Sequence, residues 1–210
     1  MVGFRLCWLT VLLILTFPAL LTAEKLPDEP IDIDPKPIAS DAAVKFDYPI
    51  IYVRSPRWRG EGDRKRPAGW AEFAHIFNVN PGTDLMLLQP DGSEELLVAG
   101  GEGAVQDPYV SFDGEWVYYT LFHEATGEPN KAGADIYKIH VPTRKIVRLT
   151  EQEFTPSKPG QEQRYGVYNM HPCPLPGGKV AFVSSRNGYL PPPKSYPQVA
   201  LQLHSMDDDG

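Results

Sequence analysis

Cysteine is nearly absent. Of the two present, Cys7 lies in an apolar N-terminal run and Cys173 stands alone after it. Once that run is removed, the chain has no internal disulfide to form. No Cys-x-x-Cys-His occurs, which excludes a covalently attached c-type haem within these residues. Also missing are a Gly-x-Ser-x-Gly elbow, a His-Glu-x-x-His pair and a P-loop, and with them go the local signals of α/β-hydrolases, zincins and Walker-type nucleotide sites. Basic residues are in deficit, 20 against 27 acidic, which argues against broad nucleic-acid binding. After residue 24 no long apolar stretch recurs with a helical period, so helices are not the main building material.

What is present is turn chemistry. Glycine and proline number 18 and 22 in 210 residues, about a fifth of the chain against roughly 12% in average usage. Short strands separated by many turns predict an all-β protein.

Residues 1–23 differ from the rest. Arg5 is the only charge, Leu6 to Leu21 is almost wholly apolar, and Ala23 precedes Glu24. This pattern predicts a secretory signal peptide cleaved after Ala23; the alternative is an uncleaved anchor, because the run approaches spanning length. Either reading predicts export, to the periplasm or the medium. A membrane association is expected only if the segment stays uncleaved. Residues 24–43 are proline-rich and acidic with no strand-length apolar run, which predicts a linker.

From residue 44 to 210 the chain repeats itself. Asp107 to Thr120 aligns without a gap to His171 through Ser184 at an offset of 64 residues. Each copy reads as an extended run with proline second, a glycine turn, and an apolar strand. A second hairpin interleaves with the first: Asp84 to Val98, then Asp135 to Thr150, then Leu201 onward. Four-stranded antiparallel units of about this length, repeated in series, are propeller blades. The predicted fold is therefore all-β, an incomplete β-propeller with about two and a half blades, spanning about 44–99, 107–150 and 171–210. Tyr48 to Arg54 takes the second-strand place of the first blade.

Pro108-x-x-Ser111-x-Asp113-Gly114, followed by Asp135-Ile136-Tyr137 and Arg148-Leu149-Thr150 in the same unit, resembles the WD-like repeat of TolB-type β-propellers. The third unit departs from the pattern at Pro174 to Gly177, where Ser-x-Asp-Gly is usual. The YPIIYVR strand, the long insertions and the Asn169 to Gly178 stretch are also similar to exported propellers related to the hydrazine synthase alpha subunit. The resemblance implies a binding or assembly scaffold. The alternative it implies is the propeller part of a haem-bearing oxidoreductase, or of a prolyl-oligopeptidase-like hydrolase, with catalysis beyond residue 210. No cofactor is expected in these residues themselves; a c-type haem would belong to the missing C-terminal part. The expected partner is a protein or small-molecule ligand at the propeller face.

Five residues stand out as candidate contacts. His171 replaces Asp107 at the expected start of an inner strand, where propellers line their channel. It reads as a channel-mouth group or as a hydrogen-bonded structural histidine. Asp107 reads as a turn residue accepting backbone N–H bonds. Arg57, Arg64 and Arg66 belong to a basic run from Arg54 to Arg66 opposed only by Glu61 and Asp63. That run suits an anionic partner or a merely solvated loop. Trp70 to Phe77 carries apolar residues at helical spacing. Asp207-Asp208-Asp209-Gly210 reads as a hairpin turn rather than a calcium loop, and Cys173 as a small buried hydrophobe. Trp116, Tyr118, Tyr119, Phe122 and Phe182 are expected between blades.

Overall fold

The computed structural model describes residues 44–59, 66–67, 79–126, 129–190 and 200–210, with Ser40 and Gly62. The predicted signal peptide, most of the linker, Arg64 and the Trp70–Phe77 stretch lie outside the described residues.

Among the described residues the chain is built of β-strands with a single α-helical turn. Its strands are β1 Ile50–Arg54, β2 Trp58–Arg59, β3 Arg66–Pro67, β4 Asp84–Leu88, β5 Glu94–Val98, β6 Ala104–Val110 and β7 Trp116–Phe122. They continue, after the turn α1 Pro129–Ala132, as β8 Ala134–His140, β9 Ile146–Arg148, β10 Asn169–Leu175, β11 Lys179–Ser184 and β12 Gln202–Asp207. Three sheets carry the fold, in the orders β1-β4-β5, β6-β7-β8-β9 and β10-β11-β12, while β2 and β3 pair as a small hairpin. Every ladder between these strands is antiparallel. Up-and-down sheets of this kind, stacked face to face in series, are propeller blades.

The blades are joined by apolar residues pointing in opposite directions from alternate positions of each strand. Leu85 and Leu87 of the first blade pack with Val117, Tyr119 and Ile139 of the second. Tyr118 and Ile136, on the other face of the second blade, pack with Val180 and Phe182 of the third. Phe122 packs with Tyr168 and Met170 at the junction of the second and third blades. The aromatic residues expected between blades are there, Trp116 at the margin.

The gapless repeat does not survive in the registers. Both inner strands carry a bulge, between Gln106 and Tyr109 in β6 and between Met170 and Cys173 in β10. Proline has no N–H for the ladder, so a bulge is where a strand tolerates Pro108 and Pro172. Beyond the bulge Val110 faces Val117, whereas the equivalent Pro174 faces Val180. The turn of the third blade is one residue shorter, so Val180 and Phe182 occupy the places of Val117 and Tyr119. The sequence alignment had matched them to Trp116 and Tyr118. A slip of one residue changes the face of every side chain in a strand, and the packing agrees with the shorter turn: Val180 and Phe182 face back toward the second blade.

The turns explain the Ser-x-Asp-Gly motif. Asp113 Oδ1 accepts from Glu115 N at 3.0 Å and from the Ser111 hydroxyl, while Ser111 Oγ accepts from Trp116 N at 2.9 Å. Gly114 sits at φ 77°, a conformation that residues with a Cβ seldom adopt. In the third blade Gly177 and Gly178, at φ 84° and 72°, make the shorter turn without the serine and aspartate.

Candidate functional site: the long-connection end of the blades

Antiparallel meanders put alternate connections at opposite ends. At one end the turns are short: 89–93, 111–115, 141–145 and 176–178. At the other end emerge the stretches 55–83, 123–133, 149–168 and 185–201, with only 99–103 short. Binding residues concentrate on such connections when a rigid scaffold holds them.

This end is fastened by a buried carboxylate. Asp135 opens β8 and is fully buried. Its Oδ1 accepts from Thr150 Oγ1 at 2.8 Å and from Asn169 Nδ2 at 3.0 Å. Its Oδ2 accepts from Arg148 Nη2 at 2.7 Å and lies 2.8 Å from His123 Nε2. Thr150 Oγ1 in turn accepts from Ile136 N at 2.9 Å. Burial alone would raise the Asp135 pKa, but the bonds from His123, Thr150 and Asn169 and the Arg148 charge together bring it below the usual carboxylate value. The Asp-Ile-Tyr and Arg-Leu-Thr motifs therefore clamp the second blade to itself, and through Asn169 to the third.

The inner strands carry a second junction. Asp107 and His171 lie inside β6 and β10, at the two bulges, not at strand starts. Both hold positive φ, 52° and 55°. Asp107 Oδ2 stands 3.0 Å from His171 Nδ1 and accepts from Thr120 Oγ1 at 3.2 Å; the same hydroxyl oxygen accepts from His171 N at 3.1 Å. Asp107 is thus engaged by side chains in place of the backbone N–H groups expected of a turn residue. The bulge causes this, because it swings the side chain out of the ladder toward the neighbouring blade.

The basic run is divided. Arg54 belongs to the first blade, where its guanidinium lies 3.4 Å from Glu94 and 3.8 Å from Asp84. Arg57 is exposed just beyond β1, and Arg66 opens β3 opposite Arg59. Cys173 is half-buried in β10 rather than buried, opposite Ala181. Asp208 serves the turn after β12: Tyr118 Oη donates to it at 2.5 Å, and Lys138 Nζ lies 2.9 Å from its other oxygen. Burial first, then this bond to Asp208, pushes the Tyr118 hydroxyl pKa well up.

Sequence reasoning singled out nothing in the stretch 151–168, yet a cavity of about 340 Å³ lies there, lined by Phe154, residues 160–167, Ser185, Gly188 and Leu190. Counting connections would have pointed to it, because the links from β9 to β10 and from β11 to β12, which border it, are both long.

No family model matches the chain, and no curated protein matches it. Among solved structures it is similar to a chain described as TolB from Agrobacterium tumefaciens, at 26% identity and a TM-score of 0.40, over 61% of this chain and 39% of that one. It is similar also to TolB from Acinetobacter baumannii, at 17% identity and a TM-score of 0.37, over 60% of this chain and 24% of that one. The chain thus spans well under half the length of either, and its assignment as blades of a β-propeller stands on its own strand order and registers.

Proposed function

We propose that this chain is an exported propeller module that acts as a binding or assembly scaffold, engaging its ligand at the end of the blades that carries the long connections. One observation carries the reading: the long connections gather at a single end, and the cavity opens among them. Export is inferred from residues 1–23, whose composition is that of a secretory signal. The blades themselves are stiffened by apolar packing and by the Asp135 clamp, which is the division of labour expected of a scaffold with variable loops.

Site-specific photo-crosslinking tests this. A photoreactive residue is placed at Thr126 or Glu153 on the long-connection end, and at Asp91 or Gly177 on the short-turn end. Crosslinked species formed in the native envelope fraction from the first pair and not the second are expected. Crosslinks confined to Asp91 and Gly177 would overturn the proposal.

A further inference from the structure

Resting on that reading, we propose that the cavity between the 151–168 and 185–190 connections is a site for a small organic acid, with an apolar body, one carboxylate, and a separate hydrogen-bond acceptor.

The walls are fixed without a ligand. Thr155 N donates to Arg186 O at 2.9 Å and Ser157 N to Asn187 O at 3.0 Å, so the two connections run side by side. Asn187 Nδ2 donates back to Thr155 O at 3.1 Å, and the Gln161 amide donates to Gly188 O. Gly188, at φ 68°, allows this closeness: a Cβ there would lie 2.4 Å from Gln161 Nε2 and 2.9 Å from the Phe154 ring. A site already held in shape does not spend binding energy on ordering itself.

The lining defines the ligand. Ser185 is 4% exposed. Its Oγ accepts from Tyr168 N at 2.9 Å, and its hydroxyl hydrogen has no acceptor among the described residues. A buried donor in that state is costly, and a ligand oxygen relieves it. Phe154 and Leu190 supply apolar wall, and the solvent-exposed Arg164 lies on the lining. A guanidinium fork matches a carboxylate in shape and charge. Glu162 shares that lining, and its charge sets the limit at one negative charge on the ligand, since a second would face it. The volume lies at the low end of the roughly 300–1,000 Å³ range of ligand sites, which suits a small molecule and not a folded segment.

The probes are 3-(4-acetylphenyl)propanoate and its neutral counterpart 3-(4-acetylphenyl)propanamide, titrated calorimetrically into the full chain. The acid is expected to bind, and the amide to bind about tenfold more weakly, the loss of one charge-assisted pair. Arg164→Gln should weaken the acid by a similar factor and leave the amide unchanged. Leu190→Trp should abolish both by filling the cavity, with circular dichroism showing each variant folded. Equal binding of acid and amide, indifference of the acid to Arg164→Gln, or no binding of either probe would each overturn the inference. Loss of the acid with crosslinking at Thr126 and Glu153 retained overturns this inference alone; loss of that crosslinking strikes the scaffold reading beneath it.

Discussion

Asp107 and His171 are the same position of two successive blades, and they touch each other. Each sits at a bulge with positive φ, and the 3.0 Å contact between them ties one inner strand to the next. Asparagine and aspartate tolerate such backbone angles far better than β-branched residues do. Asp107→Asn should therefore cost little, whereas Asp107→Val should lose about 1–3 kcal/mol. Urea denaturation of the two variants measures the difference. Equal midpoints would show that the positive φ is not enforced.

The clamp at Asp135 should be the costliest polar site to disturb. Asp135→Ala takes away the carboxylate that Arg148, Thr150, Asn169 and His123 share, leaving Arg148 only Thr150 O and the Asn169 amide only Glu151 O. The expected loss is about 1.5–3 kcal/mol, the range for hydrogen bonds to a charged group, because Arg148 is 42% exposed and water can reach it. Thr150→Val removes one donor and one acceptor and should cost about 1–3 kcal/mol. A denaturation series in which Thr150→Val exceeds Asp135→Ala would contradict the arrangement.

Acid should weaken the fold through the same residue. The folded pKa of Asp135 lies below its unfolded value, which for aspartate is about 3.9. Its stabilisation is then fully present above that value and is lost as pH falls through the lower, folded pKa. Urea midpoints are expected to hold from neutral pH to about 4 and to drop below it. In Asp135→Asn the drop should be shallower. The same slope in both proteins would place the acid sensitivity elsewhere.

Leu203 and Ile136 test the blade faces. The registers make them equivalent, since Thr120 faces Ile136 and Val183 faces Leu203. Ile136 is 0% exposed beneath the third blade, while Leu203 is 77% exposed. Ile136→Ala should cost about 2–5 kcal/mol. Leu203→Lys should change stability by less than about 0.5 kcal/mol and reduce self-association, because exposed apolar sheet faces recruit partners. Sedimentation velocity at several concentrations reads the second effect. The opposite face of the first blade differs: Met86 is only 2% exposed. Self-association is therefore expected through the third blade.

The strand order was legible because glycine and proline turns punctuate apolar runs, and because the hairpins recur. The aromatic residues between blades were legible for the same reason. The registers were not, because a turn one residue shorter leaves no mark in a gapless alignment, and Pro176-Gly177-Gly178 looks like a substitution of Ser-x-Asp-Gly. Asp107 and His171 were noticed for their position, but their contact depends on bulges that only the paired strand reveals. Asp135 was read as part of a motif without a task, since its four partners come from three separate stretches, at His123, at Arg148 with Thr150, and at Asn169. The cavity residues carry no spacing at all; Ser185 and Arg164 come to line one cavity through the path of two connections.

The shortened turn has a consequence for exchange of parts. Strand β11 keeps its inward and outward faces because its pairing is counted from the bulge at His171 and not from the alignment offset. Turn length and side-chain orientation are thereby uncoupled. The turn Phe112 to Glu115, closed by Ser111 against Trp116, and the turn Pro176 to Gly178, closed by Leu175 against Lys179, become interchangeable hinges: each is expected to transplant into the other blade with the recipient's interior face unchanged.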